Sequence, residues 1–157
     1  MENAFNIVLF QPEIPQNTGT IGRLAISTNC RLHLIEPLGF SLEDKYLKRA
    51  GLDYWQHLSP VIHPDWDSFI SSEKPKKMFF ISTHGEKSFF DAGYKIGDYL
   101  VFGRESAGLP KEFYEMYRND MWQIPMPGKF SRSLNLANAV SITLYEAMRQ
   151  NRDILEI

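Results

Sequence analysis

The feature that most constrains this chain is a set of short runs that are apolar at consecutive positions instead of at every second one. They lie at residues 5–10, 32–35, 78–81 and 99–102, with a shorter one at 122–124. Segments with helical spacing alternate with them, at 21–28, 42–50, 66–71, 111–117 and 134–150. A strand apolar on both faces must be covered on both faces, and interleaved helices supply that cover. The expectation is an α/β fold built on a parallel sheet. A length of 157 residues suits one core, and no internal repeat, low-complexity tract or Ser/Gly-rich linker interrupts it. Residues 1–157 are therefore expected to form a single domain.

Composition narrows the function classes. Apolar residues make up 43% of the chain and aromatics 13%, enough for a core without metals or disulfides. The single cysteine, Cys30, cannot form an internal disulfide and is read as a buried small hydrophobe. The histidines, His33, His57, His63 and His84, show no metal-ligand spacing, and no metal is expected. Only His84, just after an apolar run, is placed to touch a ligand; the others are read as structural. No run approaches the roughly 18 apolar residues of a membrane helix, and the opening residues lack the pattern of a signal peptide. The expected location is cytoplasmic, with no membrane partner. A net charge of −2 speaks mildly against a nucleic-acid binder. Positive charge is nevertheless clustered at Lys45/Lys48/Arg49, Lys74/Lys76/Lys77 and Lys129/Arg132, and a dimer can join such clusters into one surface. For any single cluster a solvated face is the simpler reading.

In open α/β sheets, ligands bind at the loops that follow the carboxyl ends of strands. Three such loops are rich in Gly, Pro, Asn and Ser, which supply turns and free amides. After the first run, Asn17 can cap a following helix, and Gly19 and Gly22 allow close backbone approach. Arg23, expected near that helix's first turn, would oppose the helix dipole, so a phosphate or ribose anchor explains it better than a structural role. The loop Gly103-Arg104-Glu105-Ser106-Ala107-Gly108 offers amides and a carboxylate, or is simply a tight turn capped by Glu105. In the third loop Ser133 can cap the last helix, while Asn135 and Asn138 can share one face for a ligand's polar edge. That last helix is apolar nearly all round, so a partner subunit is expected to cover it. The glycine patterns of dinucleotide and P-loop sites are absent, as is the serine-hydrolase elbow.

Taken in order, these loops resemble the motifs of the SPOUT-class RNA 2′-O-methyltransferases. The resemblance rests on Asn17-Thr18-Gly19-Thr20-Ile21-Gly22-Arg23, on Phe102-Gly103-Arg104-Glu105-Ser106-Ala107-Gly108-Leu109-Pro110, and on Ile124-Pro125-Met126 with Ser133-Leu134-Asn135-Leu136-Ala137-Asn138-Ala139-Val140-Ser141. It is closer still to the short branch that methylates the wobble ribose of tRNA. There it spans nearly the whole chain, including Phe10-Gln11-Pro12-Glu13-Ile14-Pro15, Ile35-Glu36-Pro37-Leu38-Gly39-Phe40 and residues 49–54. One departure is Ala137, where many relatives carry serine.

The resemblance implies a Rossmann-like parallel sheet with a C-terminal deep trefoil knot, and no separate RNA-binding domain. It implies S-adenosyl-L-methionine as cofactor, held by Ile81, Ser82, Thr83, Gly103, Ile124, Met126, Ser133 and Leu134. It implies a homodimer whose active site includes the second subunit, and the anticodon stem-loop of tRNA as substrate. Arg23 is the implied catalytic residue, with Asn17, Glu105 and Asn135. An arginine whose pKa lies above ~12 is a poor base, so an orienting, phosphate-binding role suits Arg23 better. Two alternatives stay open: a methyltransferase for another RNA, or a non-catalytic RNA-binding relative.

Overall fold

The computed structural model describes residues 2–50 and 55–157. Residues 51–54 of the family-like stretch at 49–54 lie outside that description. Among the described residues the strands are β1 (Asn6–Phe10), β2 (Arg31–Ile35), β3 (Val61–His63), β4 (Met78–Ile81), β5 (Lys87–Ser88), β6 (Tyr99–Phe102) and β7 (Met121–Gln123). They form one sheet in the order β3-β2-β1-β6-β4-β7-β5, and every pairing is parallel. The helices are α1 (Pro15–Ser27), α2 (Lys45–Ala50), α3 (Trp55–Leu58), α4 (Trp66–Glu73), α5 (Lys111–Met116), α6 (Leu136–Gln150) and α7 (Arg152–Leu155).

The doubly apolar strands are explained by the layers. Successive side chains point to opposite faces, so Ile7, Leu9, Leu100 and Phe102 pack with Ile21 and Ala25 of α1 and with Val140, Leu144 and Ala147 of α6. Val8, Phe10, Phe80 and Val101 face the other way, onto Phe69 of α4 and Phe113 of α5. Each such side chain, fully withdrawn from water, contributes roughly 1.5–3 kcal/mol before entropy is counted. From β1 the chain steps outward to β2 and β3, then crosses to β4 on the far side of β6. The order therefore reverses beside β1 and β6, where an open α/β sheet leaves a crevice at its carboxyl edge.

The structure departs from the sequence reading in several elements. β3 and β5 are added; at three and two residues they are too short to show as apolar runs. The strand expected at 122–124 is β7, one residue earlier. α1 begins at Pro15, six residues before the expected start, because Pro at the first helical position pre-sets φ. Asn17 thus sits inside the helix and does not cap it. α6 starts at Leu136 with Asn135 as its cap, displacing Ser133 from that role. On α6, Ile142 and Tyr145 are 40% and 56% exposed in the single chain.

Candidate active site

The loops that follow β1, β6, β4 and β7, four neighbours in the sheet, open onto a cavity of about 470 Å³. That volume lies in the range of small-ligand sites. All eight residues expected to hold the cofactor line it, from Ile81, Ser82 and Thr83 through Gly103 to Ile124, Met126, Ser133 and Leu134. Asn17, Glu105 and Asn135 line it too; Arg23 does not.

Asn135 joins two functions. Its Oδ1 accepts from the Asn138 amide at 3.2 Å, capping α6, while its Nδ2 donates to Asn17 Oδ1 at 3.0 Å. The two asparagines, 118 residues apart, therefore bridge α1 to the start of α6 across the mouth of the cavity. Asn138 takes part through its amide.

At its own start α1 has no side-chain cap, since Ile14 stands there, and no acid in its first turn. Glu105 supplies both from another loop. Its carboxylate accepts from the amide of Glu13 at 3.0 Å and from that of Ile14, placing negative charge at the positive end of the helix dipole. Glu13 returns the contact: its carboxylate accepts from the Ser106 amide at 3.0 Å and from the Ser106 hydroxyl at 2.7 Å. These bonds, the amide first, hold the Glu13 carboxyl below its usual pKa, with help from the Arg104 cation.

Arg23 is exposed in the third turn of α1, not the first, so the dipole argument made for it does not apply. Six residues beyond Asn17 at ~100° each, it leaves the helix about 240° round from the side chain that meets the cavity.

The turn after β6 closes on itself through the Arg104 amide to the Gly108 carbonyl (3.1 Å) and the reverse bond (3.0 Å). A Cβ on Gly103 would lie 2.4 Å from the Gly108 carbonyl carbon, so only glycine permits this wall. On the opposite side Ser82 Oγ accepts from the His84 amide and lies 3.0 Å from the Tyr114 hydroxyl. Tyr114 and His84 both line the cavity. Tyr114 was missed, because it comes from within α5 and carried no loop signal. Hydroxyls and carboxamides beside Ile81, Phe102 and Leu136 suit a ligand with a planar apolar body and polar edges, such as a nucleoside.

A second polar cluster lies away from this cavity. His33 on β2 and His63 on β3, distant in sequence, meet with Nδ1 of the first 3.1 Å from Nε2 of the second, and Glu73 completes a group within 4.8 Å. Linear spacing could not show it, since adjacent strands assemble it. Asn6 uses its Nδ2 to donate to the Gly97 carbonyl, so its Oδ1 accepts from His33 Nε2 at 3.0 Å. His33 Nδ1 then accepts from His63 Nε2. Glu73 is engaged by Arg31 and the Tyr99 hydroxyl, each at 3.3 Å. Burial first, then the Arg31 cation and His63, pushes His33 down to a pKa of about 3, so the chain is neutral near pH 7. Cys30 is buried, as expected, and burial raises its thiol pKa.

A parallel sheet with a cavity at the reversal of strand order defines an α/β protein whose candidate ligand site lies where such sheets leave a crevice. The chain belongs to the SpoU rRNA methylase family, whose model matches residues 4–145. It is 54% identical over 147 residues to a tRNA (cytidine(34)-2'-O)-methyltransferase of Saccharophagus degradans, covering 93% of this chain and 95% of that protein. To the protein of the same name in Escherichia coli K12 it is 47% identical, over 92% of each. A structure solved in work on the 2-OH methylation of C/U34 on tRNA matches with a TM-score of 0.88 and 46% identity, over 98% of this chain and 99% of that one. The SpoU methyltransferase AviRb of Streptomyces viridochromogenes, in complex with AdoMet, matches with a TM-score of 0.81 and 27% identity, over 98% of this chain and 62% of that one.

Proposed function

We propose that the protein methylates the ribose 2′-hydroxyl of the wobble pyrimidine in tRNA, using S-adenosylmethionine. The observation that carries this reading is the convergence of eleven residues that the family resemblance names, eight of them within the three motifs, on one cavity of cofactor size, in a chain similar over nearly its full length to cytidine-34 methyltransferases. When bound, the cofactor supplies the reactive methyl group. The chain's own residues bind, orient and keep water out. Gly103 and its turn allow a ligand to approach the backbone, Ser82 and Ser133 offer hydroxyls, and Ile81 and Leu134 give apolar walls. The Asn17–Asn135 pair sets the mouth through which a ribose enters. Glu105 acts as a positioning residue, since its oxygens hold the amides of Glu13 and Ile14.

Arg23 is read as the group that holds an RNA phosphate with a bidentate guanidinium and stabilises charge developing on the 2′-oxygen. Its place on the outer side of α1 suits delivery to a partner's cavity in a homodimer. The exposed Ile142 and Tyr145 of α6 are apolar surface such a partner would cover. The rest of this reading is a single domain, a trefoil knot at the C-terminal end, the anticodon stem-loop as the bound part of tRNA, no metal, and action in the cytoplasm. No described helix is long and apolar enough to cross a membrane.

The test uses purified protein, labelled S-adenosylmethionine and, in parallel reactions, bulk tRNA and ribosomal RNA from a strain lacking the gene, followed by nucleoside mass spectrometry. A 2′-O-methylated pyrimidine at position 34 is expected. Cofactor binding with label in ribosomal RNA only would overturn the substrate and keep the class.

A further inference from the structure

We infer that Glu13 is a positioning residue for the cofactor cavity, forming with Glu105 and Ser106 a reciprocal clamp that holds the loops after β1 and β6 together. The inference rests on the cofactor reading above and goes beyond it, because Glu13 does not line the cavity and acts only through residues that do.

The geometry is mutual. Each loop gives a carboxylate to the other loop's backbone: Glu105 to the amides of Glu13 and Ile14, Glu13 to the amide and hydroxyl of Ser106. Neither set forms unless both loops are closed. Two neighbouring carboxylates on partly exposed loops would repel each other without such partners. Here each is held by charge-assisted hydrogen bonds, roughly twice as strong as neutral ones. The Arg104 cation helps to hold the Glu13 carboxyl ionised, with its Nε donating to the Gly108 carbonyl at 3.1 Å and its guanidinium 5.6 Å from the centre of the Phe10 ring. Glu13 is also fixed from behind. The Gly39 amide donates to the Pro12 carbonyl at 2.9 Å, and a Cβ on Gly39 would come within 2.7 Å of the Glu13 Cα. The backbone that presents the Glu13 carboxylate therefore has little freedom, and the clamp transmits that rigidity to Ile14, Glu105 and Ser106, which face the cavity.

Calorimetry of S-adenosylmethionine binding to the purified protein, without tRNA, tests this together with hydrogen exchange of the Ile14 and Ser106 amides in the cofactor-free state. Glu13→Ala is expected to weaken binding about tenfold and to speed exchange at both amides, with little change in melting temperature; Ser106→Ala, which keeps the amide-to-carboxylate bond, is expected to do the same to a smaller extent. The double variant is expected to lose no more than Glu13→Ala, since the two residues share one contact. Glu13→Gln keeps an acceptor oxygen for Ser106 and is expected to bind within about threefold of the unaltered protein. Full affinity in Glu13→Ala, losses that multiply in the double variant, or a Gln variant as weak as the Ala one would each overturn the clamp. If the unaltered protein fails to bind S-adenosylmethionine, the proposed function falls, and the exchange rates alone still decide whether the clamp exists.

Discussion

The two polar clusters of this protein are built from opposite materials. On β1, β2 and β3, Asn6, His33 and His63 form a hydrogen-bonded chain, with His33 fully buried and His63 4% exposed. Every ring nitrogen of His33 is assigned a partner within the protein, and Phe69 packs edge-on against both imidazoles. At the carboxyl edge of β1, β6, β4 and β7 the groups are plainer, carboxamides, hydroxyls and main-chain amides, and they surround open volume. By residue type alone, the histidines look like the chemistry and the asparagines and serines like loop filler. The folded arrangement reverses that. A polar group satisfied inside a dry layer stabilises the fold, whereas one held rigidly at the edge of a cavity is available to a ligand.

The largest expected effect comes from breaking the open cluster alone. Gly103→Ala puts a methyl group 2.4 Å from the Gly108 carbonyl carbon, a clash only main-chain movement can relieve. Cofactor affinity, read by calorimetry, is expected to fall at least about 100-fold while the pH dependence of stability stays unchanged. Wild-type affinity in this variant would show that the turn after β6 is not the cofactor wall.

Next in size is breaking the sealed cluster by acid. His33 titrates near 3 in the fold against an ordinary 6.5, so between those values the unfolded chain binds more protons than the folded one. Its contribution is complete above about pH 6.5 and is lost progressively as pH falls toward 3, on the order of a few kcal/mol. Burial also lowers the pKa of His63, which adds in the same direction. Carboxyls such as Glu13, lowered in the fold, slope the same way, so the comparison is with His33→Gln. Urea melts at pH 7.5, 5.5 and 4.5 should show a shallower loss in that variant. Equal slopes would mean water already reaches the imidazoles. The same melts with added Zn²⁺ should not move, because the hydrogen-bond chain already commits both ring nitrogens of His33 and Nε2 of His63.

How much of this was legible in the sequence follows from what each signal encodes. The doubly apolar runs foretold the parallel sheet because burial on both faces leaves a compositional trace. The motif loops foretold the cavity because the family pattern names residues one by one. Linear reading failed where partners come from far along the chain. It could not see that Glu105 caps α1, that Asn135 holds Asn17, or that His33 finds His63, and it put the start of α1 at 21 because Pro15 to Thr20 reads as loop. Arg23 was chosen by motif, yet its place outside the cavity depends on where the helix begins.

A smaller effect is expected from Arg23→Lys. If the guanidinium clamps a phosphate in two-point fashion, methyl transfer to tRNA should fall roughly 10- to 30-fold with cofactor affinity unchanged, since Arg23 lies off the cavity wall. Near-full activity would leave a single point charge as its only contribution.

The smallest effect concerns how a protein of net charge −2 gathers an RNA at all. The loop between β7 and α6 carries Lys129 and Arg132, both exposed, beside Phe130, which is 87% exposed with the Lys129 ammonium 5.5 Å from its ring centre. The same loop supplies Met126, Ser133 and Leu134 to the cavity, so positive charge is concentrated where RNA must arrive. A local patch of this kind needs no basic whole, because charges farther off than a Debye length of about 8 Å are screened at physiological salt. Lys129→Ala and Arg132→Ala should each raise KM for tRNA about threefold and reduce the slope of log KM against log salt by nearly one, leaving cofactor affinity alone. An unchanged slope in both variants would move the RNA path off this loop, and the open cluster would then have to receive its substrate from the α1 side.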